Sequence, residues 1–159
     1  MNKGGLEAWL KNYLIKGRPW ERPETPKAGE GQLALLLEQF NRYTQLLQEW
    51  NEKVNLTAIL DPDEIQVKHY LDSLLYLNFI GIGAGFPGLP LKLVEPTAAI
   101  DFFDSSGKRV NFLNLVTAQL KISGAAAYHL RAEEAGRKPE FREKYDLAVS
   151  RAVAALPLL

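Results

Sequence analysis

The segment Gly81-Ile82-Gly83-Ala84-Gly85-Phe86-Pro87-Gly88 constrains this chain more than any other feature. Its glycines let a backbone turn sharply and approach another surface closely. They stand between a short apolar stretch at 79–82 and an apolar segment carrying Leu91, Leu93 and Val94. Taken alone, such a run serves a plain turn as readily as a ligand loop. What flanks it decides what it belongs to.

Downstream, the pattern alternates. Residues 99–103 predict a strand ending at Asp104. Val110, Leu113, Val116 and Leu120 mark a helix with Lys108 and Arg109 in its first turn. Residues 125–130 and 145–150 read as further strands, and 79–82 as a very short one. Strands alternating with helices predict parallel βαβ units and an α/β fold.

Upstream, the chain is helical. Residues 6–16 read as a short amphipathic helix, and 17–32 as a linker rich in Pro and Gly. Leu36, Phe40, Tyr43, Leu47 and Trp50 form one stripe of a helix from Leu33 to near Asn51. Asp61-Pro62-Asp63-Glu64 starts another, with Asp61 as cap, Pro62 at the first position and Glu64 completing a capping box. That helix is expected to run to about Leu77. The expected organisation is a helix and linker over 1–32, a helical extension over 33–77 and an α/β domain over 78–159.

Composition narrows the function classes. The chain has 159 residues, enough for one domain with a core, and its 19 basic and 19 acidic residues cancel. No global charge marks a nucleic-acid binder, although a local basic face is compatible with this balance. Without cysteine, disulfides and cysteine-based zinc sites are impossible, and two distant histidines make a metal site an unfavourable expectation. No apolar run reaches the roughly 18 residues of a membrane span. The first residues alternate apolar and polar instead of forming a signal-peptide block, so the expected location is the cytoplasm.

Asp104 gives the glycine run a chemical meaning. It lies 19 residues after Gly85, at the expected end of the next strand. An acid there can accept hydrogen bonds from two ribose hydroxyls, or cap the following helix with Ser105 or Ser106. A pyrophosphate loop leads straight into a helix, and Pro87, Gly88 and Pro90 are expected to interrupt that route. The loop suits a small zwitterion such as S-adenosylmethionine at least as well. Arg131-Ala132-Glu133-Glu134 follows a predicted strand, so its backbone and Glu133 can meet an adenine, or form a solvated loop. Arg151 follows the next strand and can hold an anion bidentately, or form a surface ion pair.

Several segments, in order, closely resemble the RsmG (GidB) family of bacterial 16S rRNA guanine-N7 methyltransferases. They are Asn51…Asn55-Leu56-Thr57-Ala58-Ile59, Lys68-His69-Tyr70-Leu71-Asp72-Ser73, Gly83-Ala84-Gly85-Phe86-Pro87-Gly88, Asp104-Ser105…Lys108-Arg109, Arg131-Ala132-Glu133-Glu134 and Ser150-Arg151-Ala152-Val153-Ala154. The resemblance covers about residues 33–154. It implies a Rossmann-like class I methyltransferase fold, an incomplete parallel sheet flanked by helices, with a helical N-terminal extension. It implies S-adenosylmethionine as cofactor and, as partner, 16S rRNA in the small ribosomal subunit or its precursor. It implies cofactor contacts at Gly81, Phe86, Ala132, Glu133 and Arg151, with Gly83, Gly85 and Asp104 completing the pocket. Lys68, Lys108 and Arg109 are candidate phosphate contacts. Guanine N7 carries no proton to remove, so positioning can supply most of the rate and no general base is assigned.

Two departures from the family pattern carry expectations. Phe79 occupies the place of an acid, and few residues remain for the strand before the loop. The chain also ends at Leu159 where the family continues. It is therefore expected to be a truncated form, shortened before the loop and at its C-terminus, marginally stable or prone to associate. An inactive remnant that binds RNA or a partner, and a methyltransferase acting on another substrate, stand beside the rRNA enzyme as readings.

Overall fold

A computed structural model describes residues 5–16, 30–75, 85–146 and 148. Helices α1 (Gly5–Lys16) and α2 (Glu30–Val54) open the chain. A short α3 (Pro62–Ile65) passes into a π-helical turn, Gln66–Leu71, and on into α4 (Asp72–Leu75). After the glycine segment come α5 (Gly88–Val94), β1 (Ile100–Asp104), α6 (Gly107–Gln119), β2 (Ala125–His129) and α7 (Ala132–Ala135). Strands β1 and β2 are parallel, paired from Ile100 opposite Ala125 to Asp104 opposite His129, with α6 as the crossover. This is the expected α/β pattern: a small parallel sheet flanked by helices.

The predicted stripe of α2 holds. Leu36, Phe40, Tyr43 and Leu47 are buried, and Leu46 joins them. The helix runs three residues further than expected at each end. At α3, Asp61 caps by accepting the Glu64 N–H at 2.9 Å. Glu64 does not close the capping box; its carboxylate pairs with Lys68 at 2.6 Å, one helical turn on. The π turn was not expected. Its wider winding turns the adjacent residues His69 and Tyr70 both inward.

The expectation that Pro87, Gly88 and Pro90 block a helix is overturned, because α5 starts at Gly88. The first turn of a helix has no internal use for its N–H groups, so a proline there costs no hydrogen bond. Leu89 N–H reaches Gly85 O at 2.7 Å and Leu91 N–H reaches Pro87 O at 3.1 Å, which closes the turn into the helix. The Arg131–Glu134 run, read as ligand-edge residues or as a solvated loop, enters α7 at Ala132. The expected strand at 79–82 lies outside the described residues. So do residues 147, 149 and 150 of the one expected over 145–150, whose described residues 145, 146 and 148 are not in a strand.

One face of the sheet packs inward through Phe102, which lies against Gly88 of α5. The other carries a cluster of rings. Phe103 stacks on Tyr128 at 5.4 Å, and Phe141 meets both edge-on at 5.0 and 4.9 Å. Lys92 is buried in α5, its ammonium donating to the carbonyls of Pro96 and Ala98. Helix α1 buries Leu6, Leu10 and Leu14 and packs against the π turn and α2. A Tyr13–Glu95 hydrogen bond joins it to the end of α5. No helix among the described residues is long and apolar enough to cross a membrane.

Tyr43 and Tyr70 stack at the centre of this core, both fully buried. The Tyr70 hydroxyl meets Thr44 Oγ1 at 2.9 Å, and the Tyr43 hydroxyl has no hydrogen-bond partner among the described residues. Burial pushes both phenols above their ordinary range. In the unfolded chain they ionise near pH 10. Below that pH both states keep their protons and stability is complete. Above it the unfolded chain releases protons that the folded chain retains, so stability falls by about 1.4 kcal/mol per pH unit for each tyrosine. Tyr43→Phe should remove one share and flatten the decline in urea midpoint above pH 10. An unaltered slope would count against this account.

Candidate functional site

The carboxyl edge of a parallel sheet is where an open α/β fold places its ligands. Here β1 ends in Asp104 and β2 in His129, directly opposite. Leu130 N–H donates to Asp104 O at 3.1 Å and ties the two strand ends together. His129 Nε2 donates to Ser105 O at 3.0 Å, which fixes the turn leaving β1. The Asp104 carboxylate accepts the Ser106 N–H at 2.8 Å. Arg109, in the first turn of α6, holds both carboxylate oxygens at 3.5 and 3.4 Å. Ser106 occupies the N-cap position without a side-chain bond. Asp104 therefore braces the start of α6, and its side chain stays 10% exposed at the sheet edge.

Ala132 and Glu133 stand on the same edge, in the first turn of α7, both exposed. The fold thus sets Asp104 and the first turn of α7, with Ala132 and Glu133, at one edge, and α7 packs against β1. Lys108 is exposed in the first turn of α6, beside Arg109. Lys68 projects from the π turn, paired with Glu64. Gly81, Gly83 and Arg151 lie outside the described residues.

Gly85 and Phe86 are set differently. Gly85 has φ of +86°, and a Cβ there would come within 2.9 Å of both Leu113 Cδ2 and Tyr43 Oη. Backbone conformation and space both demand glycine at this point. Phe86 is 7% exposed. Its ring stacks on His69 at 4.4 Å and on Tyr43 at 5.5 Å. These two residues join the glycine segment to the helical half from within the core. His69 was not among the residues singled out for the site, although it lies inside a quoted segment. Its only signal was an imidazole beside an apolar stripe. A surface depression of about 170 Å³ lies elsewhere, by the amino ends of the strands, between Gln39, Lys92, Lys121 and Ser123.

A parallel βαβ unit with an acid at the first strand end and helices on its flanks is consistent with the Rossmann-like class I methyltransferase fold. The chain belongs to the GidB family, described as rRNA small subunit methyltransferase G, which matches residues 36–159. It is 47% identical over 131 residues to the ribosomal RNA small subunit methyltransferase G of Desulforamulus reducens, covering 76% of this chain and 55% of that protein. The protein of the same name from Acetivibrio thermocellus is 46% identical over 133 residues, covering 77% and 55%. That of Streptococcus thermophilus is 45% identical over 134 residues, covering 77% and 56%. The chain spans about half the length of the curated relatives it matches.

Proposed function

We propose that this chain is an S-adenosylmethionine-dependent methyltransferase that modifies guanine N7 in 16S rRNA of the small ribosomal subunit. The observation that carries the reading is the convergence of Asp104, Ala132 and Glu133 on one sheet edge, joined by the Leu130–Asp104 bond. Family membership supplies the reaction class.

The residues at that edge fit an adenosine. Asp104 offers an acceptor where ribose hydroxyls approach, and it is held in place by Ser106 and Arg109. Ala132 and Glu133 offer backbone and carboxylate groups to an adenine edge. When bound, the cofactor supplies an activated methyl on a sulfonium. The protein's part is to hold donor and acceptor in line, since N7 has no proton to remove. Gly81, Gly83 and Arg151 complete the proposed pocket, with Gly85 and Phe86 fixing its loop from behind. Lys68, Lys108 and Arg109 are the proposed phosphate contacts, which position RNA without reading sequence.

Incubation of the purified chain with labelled S-adenosylmethionine and small subunits lacking the modification tests this directly. Label on guanine N7 of 16S rRNA is the expected result. Cofactor binding without transfer would instead support a binding remnant, and transfer only to another acceptor would support a different substrate.

A further inference from the structure

The π turn, the Thr57 loop and Phe86 form a connected device at the back of the glycine segment. Asn51 Oδ1 accepts the Thr57 N–H at 2.8 Å and so pins the loop after α2. Thr57 Oγ1 accepts the Ile59 N–H at 3.0 Å and meets His69 Nε2 at 2.8 Å. His69 is 8% exposed and held by the π turn. Its ring lies 15° from parallel with Phe86, with centroids 4.4 Å apart. Tyr43 stacks on Phe86 at 21°. The Thr57 bond favours one orientation of the imidazole, and Phe86 stacks on the ring in that orientation. Phe86 follows Gly85 directly, so holding Phe86 holds the turn from which α5 starts.

We infer that His69 is a positioning residue for cofactor binding: stacked on Phe86 and oriented by Thr57, it fixes the Gly85–Pro87 turn. This deepens the proposed function and rests on it. His69 touches no ligand in this account; it acts through Phe86.

The test uses three variants of the full chain and S-adenosylmethionine titrated calorimetrically, with thermal melting alongside. His69→Leu keeps bulk and burial but removes the planar ring and the Thr57 bond. It should weaken binding by about tenfold or more. His69→Phe restores the stack without the bond and should recover affinity to within about threefold of the parent. Thr57→Val keeps the stack and removes the same bond, so it should bind like His69→Phe, within about threefold of the parent. A purely structural role would make binding follow the melting temperature. The inference requires His69→Phe to recover binding even where it melts with His69→Leu. Equal affinity in the parent and His69→Leu would overturn it and leave the proposed function standing. Equal loss in His69→Leu and His69→Phe would overturn it too. A parent chain that does not bind S-adenosylmethionine would overturn both.

Discussion

Gly85→Ala should destabilise the fold by about 3 kcal/mol, the sum of a left-handed backbone cost and overpacking. At φ +86° a side chain is strained before it touches anything. The added methyl then meets Leu113 Cδ2 and Tyr43 Oη at 2.9 Å and Leu89 Cδ1 at 3.0 Å. These belong to α6, α2 and α5, so no single helix can move aside alone. Gly31→Ala is the internal control. Nothing lies within 4 Å of its Cβ position. In α2 it should stabilise slightly through helix propensity. Urea unfolding followed by tryptophan fluorescence measures both. A Gly85→Ala protein within 0.5 kcal/mol of the parent would refute the packing described around that turn.

Asp104→Asn should weaken S-adenosylmethionine binding by about tenfold to a hundredfold while the fold stays intact. Hydrogen bonds to a charged group contribute about 1.5–3 kcal/mol, and each 1.4 kcal/mol is a factor of ten in affinity. Asparagine keeps an oxygen for the Ser106 N–H, so the turn into α6 survives. The lost Arg109 pair is half exposed on the arginine side and adds little to stability. The substitution thus separates two roles of one carboxylate, bracing the helix and receiving ribose. Calorimetric titration reads the second and thermal melting the first. Unchanged affinity would remove Asp104 from the proposed pocket.

The parts of the fold that were legible in the sequence are those set by local periodicity. The stripe of α2, the strand ending at Asp104 and the helix after Lys108 each repeat a single step. The π turn was hidden because it breaks that step, burying His69 and Tyr70 side by side. The capping box failed because Glu64 had a competitor, Lys68, on its own helix face. The start of α5 was misread because Pro90 looks like a breaker until its place in the first turn is known.

The placement of Asp104, Ala132 and Glu133 at one end of the sheet was legible because strand ends share an edge. The inward setting of Gly85 and Phe86 was not, since it depends on contacts of Phe86 with Tyr43 and His69, across 43 and 17 residues respectively. Spacing along a chain does not record which side of a turn faces the core. Arg109 illustrates the same limit. Read as a phosphate contact, it sits against the Asp104 carboxylate, and any RNA role must coexist with that pair.

Helix α1 has a consequence of its own. The family match begins at residue 36, yet Leu6, Leu10 and Leu14 lie in the same hydrophobic cluster as Phe40, Tyr70 and Phe112. The Tyr13–Glu95 bond then fastens α1 to the helix that follows the glycine segment. The matched segment and the packed hydrophobic cluster therefore have different extents. Residues outside the matched segment are packed into the interior of residues within it, so loosening α1 uncovers the core of both.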